Sequence, residues 1–158
     1  MRVFATLSSA SAAACAGLLL LAACGGEAPP APTFKAVPAP TLAELPAPYD
    51  TADLTKGKDL FSRKCGACHF VAKERGHMVG PNLHDVFERG MAQAASYKYS
   101  AALSAFCKTR PDWTPELLDQ WLMSPDNFAP GTAMRLNGIA DATERRDVIA
   151  YLLVASRQ

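Results

Sequence analysis

The sequence predicts an all-α fold, with four or five short helices and long loops in one small domain of residues 51–158. Apolar residues recur at helical spacing in several segments, and capping residues stand where those segments begin. No two segments alternate apolar and polar residues as a pair of strands would. The helices are few for the length of the domain, so they build a thin core.

The first helix is predicted at residues 54–64, with Leu60 and Phe61 facing inward. Glycines and a proline interrupt the chain that follows. We therefore expect residues 66–96 to be mostly loop.

A short helix is predicted near residues 100–107, where Leu103, Phe106 and Cys107 recur at helical spacing. This spacing predicts that Cys107 packs as a small apolar side chain. The alternative is a reactive or dimer-forming thiol.

Two longer helices complete the domain. One begins after the N-cap Thr114, with Pro115 in its first turn. The last begins after Asp141, which has Glu144 three residues later, as in a capping box. Residues 127–138 between them are predicted as loop. The apolar stripes of the two helices consist of Leu117, Leu118, Trp121 and Leu122, and of Val148, Tyr151, Leu152 and Ala155.

The N-terminus has the pattern of a secretory signal over residues 1–23, with a basic start, an apolar run and small residues at its end. The tetrapeptide Leu21-Ala22-Ala23-Cys24 resembles a bacterial lipobox. The resemblance implies lipid on Cys24 and a protein anchored on the periplasmic side of a bacterial membrane. Two alternatives remain: ordinary cleavage that releases a soluble periplasmic protein, and an uncleaved apolar segment that spans the bilayer.

Residues 24–50 are predicted to be a linker, because prolines alternate with alanines from residue 29 onward and large apolar residues are few. Such a composition favours extended, polyproline-like backbone and does not build a core. At about 3.1 Å per residue, the linker would reach roughly 70–80 Å from Cys24.

Basic and acidic residues are close to balance across the chain, with 16 of the first and 15 of the second. The domain therefore has no basic field suited to nucleic acid, and we expect no nucleic-acid partner.

The pentapeptide Cys65-Gly66-Ala67-Cys68-His69 is the C-x-x-C-H pattern that attaches a c-type haem. The two thiols form thioethers to the two vinyl groups of one porphyrin, and the histidine ligates the iron. A zinc site would need two more ligands, usually a second close pair, and a redox dithiol would need a strand–helix context. The sequence shows neither.

The second axial ligand decides between electron transfer and ligand chemistry. Met78 lies too close to His69 in sequence to reach the far face of the ring, and Met123 lies within an apolar helix. Met134 follows a proline and a glycine in a loop well downstream, and is the predicted ligand. A thioether raises the reduction potential. An open position or His77 are the alternatives.

Further motifs accompany Cys65–His69 in the same order and at similar separations as in a known family. They are Gly80-Pro81-Asn82-Leu83-His84, Tyr97, Tyr99, Trp113, Pro130-Gly131-Thr132-Ala133-Met134 and Val148-Ile149-Ala150-Tyr151-Leu152. With them the domain resembles class I cytochrome c over nearly all of residues 51–158. The resemblance implies that family's fold, wrapped around one haem.

The resemblance also implies roles for individual residues. The carbonyl of Pro81 would hold the other ring nitrogen of His69, and Gly57 and Phe61 would pack against Tyr151. Core packing is the alternative for each aromatic residue in the haem contacts. The implied contacts to the haem propionates come from Arg89, Tyr97, Tyr99, Trp113 and Thr132.

Two departures from the family pattern stand out. Trp121 occupies the place where many relatives have a tyrosine that hydrogen-bonds near the methionine sulfur. The ring of lysines around the haem edge is thin, because Ala133 precedes Met134 and Asp126-Asn127 replaces a basic pair. Docking to an acidic partner should therefore be weaker and less dependent on salt. The lysines that remain are Lys64 and Lys73.

The sequence thus predicts a one-electron carrier of a periplasmic respiratory or photosynthetic chain, not an enzyme, with no small-molecule substrate. Its expected partners are a quinol-oxidising complex as donor and a terminal oxidase or reductase as acceptor. One alternative is a haem enzyme or gas-binding protein such as a peroxidase, which needs an open or displaceable iron position. Another is a dedicated electron-entry subunit of one oxidase or dehydrogenase.

Overall fold

The computed structural model describes residues 38–158, which form five α-helices and two short 3₁₀ helices. No β-strand occurs among these residues, so the all-α prediction is confirmed. The predicted signal, Cys24 and the first part of the predicted linker lie outside the described residues. The α-helices are α1 (Leu54–Lys64), α2 (Ala101–Phe106), α3 (Pro115–Met123), α4 (Pro125–Phe128) and α5 (Ala142–Ala155).

Side-chain caps start the helices as the sequence predicts. The hydroxyl of Thr114 accepts a hydrogen bond from Leu117 N at the start of α3. The carboxylate of Asp141 accepts from the second and third N–H groups of α5. Such caps satisfy backbone donors that have no partner inside the helix. The short helix α4 was not predicted, and its last two residues lie in the segment predicted as loop. Four residues are too few to show helical periodicity.

Helices α1 and α5 pack against each other through a close backbone contact. A Cβ built on Gly57 would lie 2.1 Å from the backbone oxygen of Asp147 and 2.9 Å from Cβ of Tyr151. The rings of Phe61 and Tyr151 are 5.4 Å apart beside this contact. The expected packing of Gly57 and Phe61 against Tyr151 is therefore confirmed.

An ion pair between a buried arginine and a partly exposed aspartate joins α5 to α3. The guanidinium of Arg145 binds the carboxylate of Asp119 with Nε to Oδ1 at 2.7 Å, and it also donates to the carbonyl oxygens of Ile139 and Ala140. A buried charge is costly unless it is paired and hydrogen-bonded, as this one is.

The linker prediction fails for its last part, because residues 42–51 pack against the helices. This N-terminal extension contains the 3₁₀ helices Leu42–Glu44 and Tyr49–Thr51 and buries Leu45 and Tyr49 in the core. Burial raises the pKa of the Tyr49 phenol, and the carboxylates of α3 add to the rise. These two large side chains bury enough apolar surface to hold the segment against the helices, which proline and alanine alone would not do.

Cys107 is partly buried against the core, as the helical spacing predicts. Its thiol lies 3.2 Å from the carbonyl oxygen of Ser104. Within residues 38–158, no helix is both long and apolar enough to cross a membrane.

Candidate haem site

Helix α1 ends at the cysteine motif and delivers it as a tight turn. The N–H of Cys65 still bonds the carbonyl oxygen of Phe61 in the last turn of the helix. The N–H groups of Cys68 and His69 then both donate to the Cys65 carbonyl oxygen at 2.9 Å. The turn therefore holds both thiols and the imidazole in one rigid unit.

Cys65 faces the interior, whereas Cys68 is half-buried. Burial, with the neighbouring Cys68 thiol, raises the pKa of the Cys65 thiol to about 11 in the chain without thioethers. The thiol is therefore neutral at pH 7 and sits as a small apolar group. Such a position suits a bond to the apolar edge of a porphyrin.

The ring of His69 is fixed by a backbone oxygen. Nδ1 lies 2.7 Å from the carbonyl oxygen of Pro81, so Nδ1–H donates and Nε2 keeps its lone pair. Burial lowers the pKa of His69, although the hydrogen bond to Pro81 opposes this shift. The neutral imidazole is the form that ligates a metal, and such a partner fixes its orientation.

Gly80 holds the loop directly against this ring. A Cβ on Gly80 would lie 2.2 Å from Cε1 of His69, and its N–H donates to the carbonyl oxygen of Cys68 at 2.9 Å. Sequence reasoning assigned no contact to this glycine. Its place directly before Pro81 is the signal that could have indicated a close backbone approach.

Met134 lies in the loop between α4 and α5 and is partly buried against the core. Its sulfur accepts a hydrogen bond from the indole Nε1–H of Trp121 at 3.1 Å. Its own N–H donates to the hydroxyl oxygen of Thr132, a side chain that is 2% exposed. The methionine that sequence reasoning favoured is thus held at both its backbone and its sulfur.

His77, the alternative ligand, has both ring nitrogens in hydrogen bonds. Nε2 lies 2.7 Å from the carbonyl oxygen of Ala95, and Nδ1 accepts from the N–H of Asn82 at 2.9 Å. Such a ring is a bridge between two loops and has no lone pair left for iron.

The other methionines lie in different surroundings. Met91 is fully buried in the core, with 0% of its surface exposed. Met78 and Met123 are exposed to solvent.

The side chains predicted to contact the haem propionates differ in whether they still have a free hydrogen-bond donor. Tyr99 accepts from the N–H of Ala94, so its own hydroxyl proton stays available. Tyr97 donates its proton to the carbonyl oxygen of Val79 at 2.7 Å. Trp113 packs in an aromatic cluster with Trp121.

Arg89 uses two of its five donors on backbone oxygens, those of Asn82 and His84. Thr132 keeps its hydroxyl proton while its oxygen accepts from Met134. Donors therefore remain on these two side chains for a carboxylate.

Asn82 organises the loops around the site, a role that sequence reasoning missed. Its side-chain nitrogen donates to the carbonyl oxygens of Ala72 and Arg75 at 2.8 and 2.6 Å. Its side-chain oxygen accepts from the N–H of His84 at 2.7 Å. The partners of Asn82 lie in loops that show neither helical nor strand periodicity. Only the position of Asn82 within the Gly80–His84 motif could therefore have indicated the role.

The residues present fit a covalently attached haem. The buried thiol of Cys65 and the imidazole of His69, with one free nitrogen, belong to the turn after α1. Gly80, where a side chain would collide with that imidazole, lies in the adjoining loop. A thioether sulfur is available from a second segment, and hydroxyl donors stand nearby in the same domain.

Comparison with known proteins agrees with this geometry. The family model of cytochrome c matches residues 54–156. Cytochrome c of Ginkgo biloba is 36% identical over 106 residues, which cover 67% of this chain and 91% of the relative. Cytochrome c of Chlamydomonas reinhardtii is 38% identical over 104 residues, covering 66% and 90%.

A bacterial relative is longer than the part that it shares with this chain. The cytochrome c-type cyt cy of Rhodobacter capsulatus is 39% identical over 102 residues, which cover 65% of this chain and 49% of that protein. The range of the family model includes the haem motif, all five α-helices and the methionine loop. The chain therefore belongs to the cytochrome c family, whose members are electron-transfer proteins rather than enzymes and carry a haem c attached through cysteines.

Proposed function

We propose that this protein carries single electrons in a bacterial periplasmic respiratory or photosynthetic chain, with His69 and Met134 as the two ligands of the haem iron. The observation that carries the proposal is the 2.7 Å contact between His69 Nδ1 and the Pro81 carbonyl oxygen. It leaves one imidazole nitrogen with a lone pair beside the two cysteines that attach the haem. That is the arrangement a permanent axial ligand requires.

The surroundings of the other candidates support Met134 as the second ligand. His77 uses both ring nitrogens in hydrogen bonds, and Met91 is fully buried in the core. Met134 is held by Thr132 and Trp121 in a loop of its own. When both axial positions are filled, no position on the iron stays open for a substrate.

Haem supplies an iron that cycles between Fe(III) and Fe(II) with its ligands retained. The protein's own residues exclude water and fix the ligands, so that little rearrangement accompanies the change of charge. Buried propionates need donors. The hydroxyls of Tyr99 and Thr132 and the guanidinium of Arg89 are the donors we assign to them. Trp113 and Tyr97, whose proton goes to the Val79 carbonyl oxygen, are assigned as packing contacts of the same groups.

The proposed partners are a quinol-oxidising complex as donor and a terminal oxidase or reductase as acceptor. The lipobox-like Leu21-Ala22-Ala23-Cys24 supports a lipid anchor at Cys24. An anchor would confine the domain near membrane-bound partners and raise their effective concentration. The sparse lysines predict that docking depends less on charge than on contact area.

The ligand assignment is tested with the haem-containing protein and its Met134→Ala variant. We expect the ferric wild-type protein to show the weak charge-transfer band of an iron–thioether bond, and the variant to lose it. Because the variant opens the sixth position, its reduced form should bind carbon monoxide while the wild type does not. Rapid carbon monoxide binding by the wild type would contradict the carrier function and favour a gas-binding or peroxidase-like protein.

The anchor is tested separately by Cys24→Ala. Since the lipid would be attached to this cysteine, the variant should appear in the soluble periplasmic fraction, whereas the wild type sediments with membranes. A Cys107→Ala variant is the matched control and should stay with the membranes. Membrane retention of the Cys24 variant would overturn the lipid anchor and favour an uncleaved apolar segment.

A further inference from the structure

We propose that Leu45 and Tyr49 are positioning residues for Met134: the N-terminal extension that they anchor holds α3 against α5, and α3 holds the methionine loop closed. The methionine loop is the segment of residues 129–138, which follows α4 and carries Met134. The inference rests on the proposed ligation of iron by Met134. The extension lies outside residues 54–156, the range that the family model matches.

Two side chains anchor the N-terminal extension in the core. Leu45 is 7% exposed and Tyr49 is 6% exposed, and both belong to the apolar cluster that the helices form. Pro46, Ala47, Pro48 and Asp50 beside them are exposed. The extension therefore turns one apolar face to the helices, and the burial of that face is lost whenever the extension lifts.

The extension lies against both α5 and α3. Its second 3₁₀ helix, Tyr49–Thr51, packs against α5. Burial raises the pKa of the Tyr49 phenol, and the nearby carboxylates of Glu116 and Asp119 on α3 raise it further. The ring of Tyr49 thus lies where the extension, α3 and α5 meet.

The C-terminal end of the extension is fixed by the residue that follows it closely. The N–H of Asp53 donates to Oδ1 of Asp147 on α5 at 3.1 Å, and the carboxylate of Asp53 caps α1. Asp147 is buried and is also bound by Arg146 at 3.0 Å. With this end held by α1 and α5, Leu45 and Tyr49 determine whether the rest of the extension stays in place.

Helix α3 in turn holds the methionine loop. The N–H of Ile139 donates to the carbonyl oxygen of Leu122 in the last turn of α3 at 2.8 Å. Gly138 has no room for a Cβ, which would meet the carbonyl oxygen of Met123. The loop therefore returns to the end of α3 directly after Met134, and a displacement of α3 moves the segment that carries the sulfur.

The burial of the two anchors adds to the cost of opening the site. When α3 and the methionine loop move away from α5, the face of the extension that they cover is exposed to water. Such local openings occur in folded proteins with free energies that depend on the buried contacts they break. The burial of Leu45 and Tyr49 therefore lowers the fraction of protein in which Met134 is off the iron.

The experiment measures the binding of imidazole to the ferric haem-containing protein. Imidazole takes the place of Met134 only while the loop is open, so its apparent affinity scales with the open fraction. Tyr49→Ala and Leu45→Ala remove the anchors, whereas Tyr49→Phe keeps the ring. Asp50→Ala is the matched control, because Asp50 is exposed in the same 3₁₀ helix. The other readouts are the ferric charge-transfer band and the exchange rate of the Ile139 N–H.

We expect Tyr49→Ala to raise the apparent affinity for imidazole about tenfold and to speed exchange of the Ile139 N–H by a similar factor. A tenfold change corresponds to about 1.4 kcal/mol, less than the truncation of a fully buried aromatic side chain costs. Leu45→Ala should act in the same direction. Tyr49→Phe and Asp50→Ala should match the wild type, since neither removes buried apolar surface.

An unchanged affinity in both Tyr49→Ala and Leu45→Ala would overturn the positioning role, as would an equal rise in Asp50→Ala. A rise in affinity without faster exchange at Ile139 would also overturn it, because α3 would then not be the link. In the wild type the Tyr49 N–H donates to the Pro46 carbonyl oxygen at 2.9 Å. Exchange of that N–H as fast as in an unstructured chain would overturn the role even if the variants fail to fold. Absence of the charge-transfer band from the wild type would instead refute the ligation by Met134 itself.

Discussion

The crossing of α1 and α5 and the loops around the haem motif are stabilised by different kinds of contact. At the crossing, two regular helices meet through a glycine and two aromatic rings. In the loops, single side chains such as those of Asn82 and Arg89 donate hydrogen bonds to backbone carbonyl oxygens that have no partner in a helix. The crossing is thus defined by shape, and the loops by individual hydrogen bonds and by the cofactor they enclose.

The difference teaches where each region tolerates change. A helix crossing loses stability when any added atom separates the two backbones. A loop tied by side chains loses its shape when one donor or acceptor is removed, because buried backbone groups are then left without partners. Substitutions at two glycines, one in each region, compare how the crossing and the loops respond to one added atom.

The largest effect is expected at the crossing. In Gly57→Ala the new Cβ would lie 2.1 Å from the Asp147 backbone oxygen, so the helices must move apart. We expect a net loss of about 2–3 kcal/mol in the free energy of unfolding, after about 1 kcal/mol gained from helix propensity. Chemical denaturation of the haem-containing protein measures it.

Gly76→Ala is the matched control for this change, because a Cβ there would meet no atom within 4 Å. The control should unfold within about 0.5 kcal/mol of the wild type. A Gly57 variant as stable as the control would show that the crossing tolerates separation.

A smaller loss of stability, but a larger change in the spectrum, is expected in the loops. In Gly80→Ala the new Cβ would lie 2.2 Å from Cε1 of His69, so the ring must move away from its contact with Pro81. The unfolding free energy should fall by about 1–2 kcal/mol. The spectrum of the reduced protein should show weakened histidine ligation, whereas Gly57→Ala keeps the wild-type spectrum. Identical spectra for the two variants would remove the distinction between the regions.

The smallest effect concerns the cap of α5 and depends on pH. Backbone hydrogen bonds from Glu144 and Thr143 lower the pKa of the exposed Asp141 carboxyl in the folded protein. The folded-state pKa lies below the unfolded one, so the stabilisation is present above about pH 4 and is lost as pH falls through the folded value. In Asp141→Asn the cap remains but does not titrate.

The thermal midpoint of wild type should therefore exceed that of Asp141→Asn at pH 7, and the gap should narrow as the pH falls below about 4. Midpoints measured from pH 7 to pH 2.5 test this. Curves that stay parallel across the range would show that the charge of Asp141 contributes nothing.

Helices α1, α2, α3 and α5 and the haem motif could be predicted because their signals are local. Thr114 and Asp141 stand directly before the helices that they cap, and Cys65–His69 lies within five residues. The bonds of Asn82 and the contact of Gly80 with His69 could not, since they depend on how loops without periodicity fold back. The burial of Leu45 and Tyr49 was missed because a proline-rich composition conceals two well-placed apolar side chains.

The packing of residues 42–51 also bears on the length of the proposed lipid tether. If lipid holds Cys24, the tether is limited to residues 24–41, and a chain of that length reaches about 50 Å at most at about 3.1 Å per residue of polyproline-like backbone. The radius of search is then about a third shorter than a tether ending at residue 51 would give. Under the proposed anchor, redox partners would have to present their docking faces within that height above the lipid headgroups.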